Sequence, residues 1–206
     1  MSYLPPCRFL YRGNIFSNVV QFEIVNVVGM ITYQQQFDLS ELADTFSNRD
    51  EITSVVYEPE NNHWLQTHFS PNDTYVPFYR NGKCSIVGVQ SLDKFHDVAD
   101  KINDVMHNLL QYNYEPDVVI KNIVATTQVD LSISLDTLAI SLGLEEVEYE
   151  PEQFPALIYH NKEVTFLTFN SGKVICTGIS NIEKLNAKLS SFTQKIEQVN
   201  KRHMNA

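Results

Sequence analysis

The chain has 206 residues, 43% of them hydrophobic, enough to bury a substantial core in one domain or in two halves sharing a sheet. No apolar stretch approaches the ~18 residues of a membrane span, and the opening MSYLPPCRFLYRGN lacks the continuous apolar segment of a signal peptide, so an intracellular protein is the simplest expectation. Lys and Arg number 15 against 25 Asp and Glu, a formal net charge of −10, which by itself argues against a nucleic-acid partner.

Taken in order, residues 1–21 form an N-terminal extension with no later copy, whose mixed pattern permits a strand around 9–11. Residues 22–31 read as a strand, and Asp38 as the N-cap of a short helix with Glu41 completing a capping box. Strands follow at 52–57, 64–69, 74–79 and 84–87. Apolar spacings of three and four from Leu92 to Leu109 then predict an amphipathic helix over 92–110. After a link at 112–117 the same order returns. A strand covers 118–126, a helix capped by Ser134 covers 135–142, strands lie near Val147 and over 156–159, 164–169 and 174–177, and a helix runs from Ile182 to about Val199. Residues 201–206 are expected to be a disordered tail.

The second half repeats the first. The run YEPEQFPALIYHNKEVTFLTFNSGKVICTG, from Tyr149 to Gly178, has a degraded copy from Tyr57 to Gly88. Both hold Tyr-Glu-Pro-Glu, two apolar runs, a Gly-Lys turn and a closing strand that ends on Gly. Gly82 and Gly172 supply the positive φ that such a hairpin requires. Asn26 and Val28 line up with Asn122 and Val124 at an offset of 96, and the turns and long helices at 90. A period near ninety residues is too long for a solenoid and implies a pseudosymmetric duplication, with repeat one at 22–111 and repeat two at 118–200.

Each half has more strand than two helices can cover on both faces, so one sheet face is left open. Val28, Val124, Phe154, Leu157, Leu167, Phe169 and Ile175 are expected to be apolar and outward, the mark of a binding surface. The acids concentrate at 145–152 and around Glu58 and Glu60, whereas the strand segments hold Arg80, Lys83, Lys162 and Lys173, a dipolar arrangement. Cys7, Cys84 and Cys176 lack paired metal spacing and read as buried reduced thiols. The six histidines show no ligand spacing, and no nucleophile, Gly-rich phosphate loop or paired carboxylates occur. Neither a metal, a cofactor nor an enzymatic activity is expected.

These residues carry a family resemblance. The pairs Asn26/Val28 and Asn122/Val124, YEPEQFPALIY at 149–159 and FNSGKVICTG at 169–178 resemble the TATA-box-binding protein family of archaea and eukaryotes, over roughly residues 22–199 and most closely in the second half. The resemblance implies an α+β saddle in which two pseudosymmetric repeats form one curved ten-stranded antiparallel sheet. Its concave face would sit on the DNA minor groove and its helices on the convex face. Bending by aromatic wedges is a known property of that family, not something these residues establish alone. The chemistry suits the face: the minor groove offers acceptors at A·T pairs and adds a donor at guanine, so an apolar surface with a few amide donors accepts A·T and excludes guanine.

Position by position, the resemblance implies Asn26 and Asn122 as a central hydrogen-bonding pair, flanked by Val28 and Val124. Leu167, Ile175 and Thr177 match groove-facing positions, Phe154 and Phe169 the wedges with Pro155 following, and Lys83 and Lys173 phosphate contacts. In repeat one Trp64 and Tyr79 stand for the paired phenylalanines after a two-residue insertion, and Pro77, Ser85 and Val87 replace the usual Leu, Val and Thr. His160 stands where the family usually has Arg. Sparse cations imply weaker, lopsided DNA engagement, stronger at repeat two. Glu150, Glu152 and Gln153 match the acidic stirrup that contacts transcription factor B. The implied role is a general transcription initiation factor that binds A·T-rich duplex and recruits transcription factor B, and through it the RNA polymerase machinery. No membrane partner is implied, and the open face leaves room for homodimerisation without DNA. The compartment is cytoplasmic in an archaeon and nuclear in a eukaryote. The alternative is a diverged paralogue acting as a protein-interaction or regulatory module with weak or partner-dependent DNA binding. A substrate-binding appendage of a nucleic-acid enzyme is disfavoured, because no catalytic segment is left over.

Overall fold

The computed structural model describes residues 20–204; the strand expected around 9–11, Cys7 and the last two residues lie outside the described residues. The chain begins with β1 (Glu23–Thr32), α1 (Leu39–Phe46), β2 (Ile52–Val56), β3 (Trp64–Phe69), β4 (Thr74–Tyr75), β5 (Phe78–Tyr79), β6 (Lys83–Val89) and α2 (Leu92–Leu110). It continues with β7 (Asp117–Gln128), α3 (Leu135–Leu142), a 3-10 turn (Leu144–Glu146), β8 (Val147–Glu148), β9 (Ala156–Asn161), β10 (Val164–Phe169), β11 (Lys173–Ile179) and α4 (Ile182–Met204). No described helix is long and apolar enough to cross a membrane.

Two compact units are formed, one over Ile24–Ile123 and one built from Val124 onward. In the first, the sheet order is β2-β3-β4-β6-β1, with β5 pairing β3 and β6. Its core gathers Phe46, Phe69 and Phe78, with ring centroids 5.1 to 6.4 Å apart, beneath Phe95, Ile102 and Met106 of α2, all fully buried. In the second, the order is β7-β11-β10-β9-β8. There Tyr159, Phe166 and Phe192 of α4 stack with centroids 4.1 to 6.2 Å apart, and the Lys195 ammonium donates to the Tyr159 hydroxyl at 3.0 Å. Burial of each such ring contributes roughly 2–3 kcal/mol.

The four described helices start on side-chain caps. Asp38 Oδ1 accepts from the N–H groups of Ser40 and Glu41 at 2.9 and 3.2 Å, so Glu41 joins the cap through its backbone. Ser91, Ser134 and Asn181 accept from Lys94, Thr137 and Lys184 at 3.2, 3.2 and 2.9 Å. Each cap satisfies a donor that the first helical turn leaves without a partner. Cys84 and Cys176 are fully buried on β6 and β11. Burial pushes the Cys176 thiol up to about 12 and the Cys84 thiol higher still, so both stay protonated at neutral pH.

Three expectations are corrected. The strand expected over 74–79 is broken into β4 and β5, giving eleven described strands instead of ten. Pro77 sits in the gap: it has no N–H for the ladder, although its carbonyl still accepts from Ser85 N–H at 3.1 Å. The uninterrupted β10 holds Leu167 at the equivalent place. Second, α4 continues through Met204, so 201–204 are helical and not a disordered tail. Third, Leu157 is not outward but 0% exposed, because on β9 the inward parity falls on Leu157 and Tyr159.

Gly82 and Gly172 take φ of +78° and +79°, as the hairpins require. Their carbonyls accept from Tyr33 N–H at 2.8 Å and Val129 N–H at 2.9 Å. A Cβ at Gly82 would lie 1.9 Å from the Gln35 carbonyl oxygen, and one at Gly172 2.2 Å from that of Val129. Urea unfolding of Gly172→Ala is therefore expected to lose roughly 2–4 kcal/mol, from positive-φ strain plus displacement of the Val129 carbonyl. Gly143→Ala, at φ +98° with nothing within 4 Å of its Cβ, should lose only about 1 kcal/mol. Equal losses would mean that the close approach at Gly172 does not hold the turn.

Candidate nucleic-acid interface

Along β1, β3, β6, β10 and β11, side chains alternate between burial against the helices and exposure or half-exposure on the opposite face. In the first unit that outward face carries Asn26 and Val28 on β1, Trp64, Gln66 and His68 on β3, Tyr75 on β4, Tyr79 on β5, and Lys83, Ser85 and Val87 on β6. Asn122 and Val124 share the half-exposed parity of β7. In the second unit the outward residues are Ile158 and His160 on β9, Thr165, Leu167 and Phe169 on β10, and Lys173, Ile175 and Thr177 on β11. All the strand positions expected to face a ligand do face outward, except Leu157, whose place Ile158 takes. Gln66, His68, Tyr75 and Thr165 were not singled out from sequence. Counting by twos from Lys83 or Phe169 and crossing the hairpins would have found them.

The ladders resolve these residues into rows. In the second unit Leu167 lies opposite both Ile158 and Ile175, a continuous branched apolar row. Beside it, Thr165 lies between His160 and Thr177. At the end of β10, Phe169 faces Ala156, and its ring meets that of Phe154 edge-on, with centroids 6.3 Å apart and planes at 66°. Phe154 is 41% exposed, held there by a turn in which Glu150 C=O accepts from the N–H groups of Gln153 and Phe154 at 2.9 and 3.0 Å. Pro155, also exposed, leads into β9.

The first unit has the same rows with different contents. Tyr75 lies between His68 and Val87, and Tyr79 between Trp64 and Lys83. Tyr79 thus takes the place of Phe169. Trp64 does not take that of Phe154, as the sequence alignment expected: it stands opposite Tyr79 as Ala156 stands opposite Phe169. By that register Asn62 occupies the Phe154 place. The Trp64 indole N–H donates to the Tyr75 hydroxyl at 3.1 Å. The third row, Ile158-Leu167-Ile175, is replaced by Gln66, Pro77 and Ser85, and Pro77 is buried.

Lys83 and Lys173 directly follow the two hairpin glycines, half-exposed and exposed. Arg80 donates to the Tyr57 hydroxyl at 3.1 Å. His160 is tied down twice, its Nε2 3.2 Å from Glu148 Oε1 and its Nδ1 3.3 Å from Thr165 Oγ1. Glu145, Glu146, Glu148, Glu150 and Glu152 are all exposed, and the Gln153 side-chain amide donates to the Glu150 carboxylate. On the outward face of β1, the Asn26 Oδ1 is buried without a hydrogen-bond partner, a costly arrangement for an isolated protein.

A family model described as "Transcription factor TFIID (or TATA-binding protein, TBP)" matches residues 21–109 and 117–199. The TATA-box-binding protein of Picrophilus torridus is 35% identical over 189 residues, covering 87% of this chain and 98% of its own. That of Thermoplasma volcanium is 36% identical over 182 residues, covering 84% and 94%. Among solved structures, the Methanococcus jannaschii TBP matches with a TM-score of 0.73 at 30% identity, over 86% of this chain and 98% of that one. The α+β, TBP-like fold expected from the sequence is therefore the fold found. With both repeats matched and archaeal relatives aligned almost end to end, the chain belongs to the TATA-box-binding protein family.

Proposed function

We propose that this protein is a general transcription initiation factor that binds the minor groove of A·T-rich promoter DNA, bends it with aromatic wedges and recruits transcription factor B. The observation that carries the reading is the Phe154–Phe169 pair, two rings in mutual contact at the end of an outward apolar row. Rings so placed are available to enter a base step, and unstacking that step is offset by the added groove surface the bent duplex covers. Ile158, Leu167 and Ile175 fit the acceptor-only edge of A·T pairs without competing for its hydrogen bonds. The Asn26 amide supplies what the apolar row cannot. Its Nδ2 group is a donor that base acceptors can use, while its Oδ1 is buried without a partner in the free protein. Asn122 holds the corresponding position on β7. Lys83 and Lys173 flank the face as phosphate contacts.

The exposed segment holding Glu150, Glu152 and Gln153 is the proposed contact for transcription factor B, whose basic repeats would complement it. A second reading has one observation in its favour. His160, where the family usually carries Arg, is paired to Glu148, which lowers the positive charge offered to phosphate. On that reading the protein is a diverged paralogue whose DNA binding depends on a partner.

Gel shifts on an A·T-rich duplex, with and without transcription factor B, separate the readings. Complex formed by the protein alone supports the first, complex formed only with the factor supports the second, and no complex in either condition overturns both. Phe154→Ala and Phe169→Ala should each weaken A·T-duplex binding by about 1–3 kcal/mol and reduce the bend measured by end-to-end energy transfer, with thermal stability nearly unchanged for exposed Phe154. Lys173→Ala should make the dependence of log affinity on log salt shallower by about 0.9, and an unaltered slope would remove Lys173 from the phosphate contacts.

A further inference from the structure

We propose that the two repeats read different base pairs: repeat two is restricted to A·T, whereas Gln66 and Ser85 make repeat one tolerant of G·C. The inference deepens the minor-groove reading above and rests on it. Its basis is the row in which Ile158, Leu167 and Ile175 of the second unit correspond to Gln66, Pro77 and Ser85 of the first.

In the minor groove a G·C pair differs from A·T by one group, the guanine N2 amino donor. Pressed against three branched hydrocarbon side chains, that donor loses its water and gains no partner, a penalty of roughly 5- to 150-fold in affinity. The first unit removes this exclusion. Gln66 is half-exposed on the outward face and presents an amide oxygen that accepts from an amino group. Ser85, half-exposed in register with Ile175, presents a hydroxyl that does the same. Between them the strand is broken at Pro77, which is buried, so the ridge made by half-exposed Leu167 has no counterpart. Gln66 and Ser85 are also donors, so adenine N3 and thymine O2 remain acceptable partners. Repeat one is thus permissive rather than reversed in preference. On a site with G·C pairs in one half, the protein sets repeat one over that half, which fixes its direction on the DNA.

The test uses fluorescence anisotropy with the full chain and short duplexes whose core is all A·T, has G·C pairs in one half, or has them in both halves. For the wild type, G·C in one half should cost less than about threefold and G·C in both halves about tenfold or more. Replacing the second set by inosine·C, which lacks the amino group, should recover the loss. In Gln66→Ile/Ser85→Ile, which rebuilds the repeat-two row, the affinity ratio of the all-A·T duplex to the duplex with G·C in one half should rise to about tenfold or more, whatever the change in all-A·T affinity itself. The single variants Gln66→Leu and Ser85→Val, smaller changes at outward positions, should each show part of that loss and decide the matter if the double variant does not fold. Equal losses for wild type and variants on the one-half duplex overturn the inference and leave the minor-groove reading standing. Failure of the wild type to prefer the all-A·T duplex over a G·C-rich one overturns both.

Discussion

Two backbone hydrogen bonds, from Tyr33 to the Gly82 carbonyl and from Val129 to the Gly172 carbonyl, tie the end of each repeat's first long strand to the hairpin that precedes its last. They fix the register of β6 against β1 and of β11 against β7. Because side chains alternate with a period of two, a slip of one residue would turn Val174 and Cys176 outward and bury Ile175 and Thr177. Glycine is the residue that permits this, since a Cβ at either position would fall within 1.9 or 2.2 Å of a backbone oxygen. The identity of the outward face follows from those contacts before any ligand is considered.

Once parity is set, the two faces are under different constraints. Inward positions must fill space against helices, and most of them are apolar in both repeats: Leu65 and Leu157, Cys84 and Val174, Ile86 and Cys176 are each essentially inaccessible. Where volumes differ, neighbours compensate. Thr67 stands where the second unit has Tyr159, and its hydroxyl donates to the Val76 carbonyl at 2.5 Å, while the first unit's core holds the mutually packed rings of Phe46, Phe69 and Phe78. Outward positions carry no such packing demand, and there the repeats have diverged to Gln, Ser, Trp and two Tyr in the first.

Much of this was legible in the sequence because it is written in local, periodic signals. The helices are found where spacing puts them, over 92–110 and, with its Ser134 cap, over 135–142, and the hairpin glycines lie at the Gly-Lys turns. What failed was what depends on pairing. Three adjacent apolar residues, Ala156, Leu157 and Ile158, hide the parity of β9, and only the pairing of Ile158 with Leu167 decides it. The sequence alignment puts a two-residue insertion before Trp64, whereas the ladder sets Trp64 opposite Tyr79 as Ala156 stands opposite Phe169, so the two extra residues lie after β3 instead. Pro77, which has no N–H for a ladder, is the local signal for the break between β4 and β5 that the expected strand over 74–79 lacks. The extension of α4 to Met204 follows from Lys201, Arg202 and His203, whose charge suits the negative end of a helix dipole and reads equally well as a solvated tail.

Charge bears on how such a surface would work. Among the described residues, the outward strand positions contribute Lys83 and Lys173 as their lysines, in a chain of net charge −10. Binding to random duplex is almost wholly the release of counterions by cations, so two lysines provide little of it. On the proposed reading, most of the affinity must then come from the fit of the apolar face to base edges, the part that depends on sequence. Selectivity is high relative to affinity in such a design, and total affinity is low. A partner that places basic residues against Glu150 and Glu152 adds contacts to the protein and none to random DNA, so it strengthens the specific complex without raising the background against which that complex must be found.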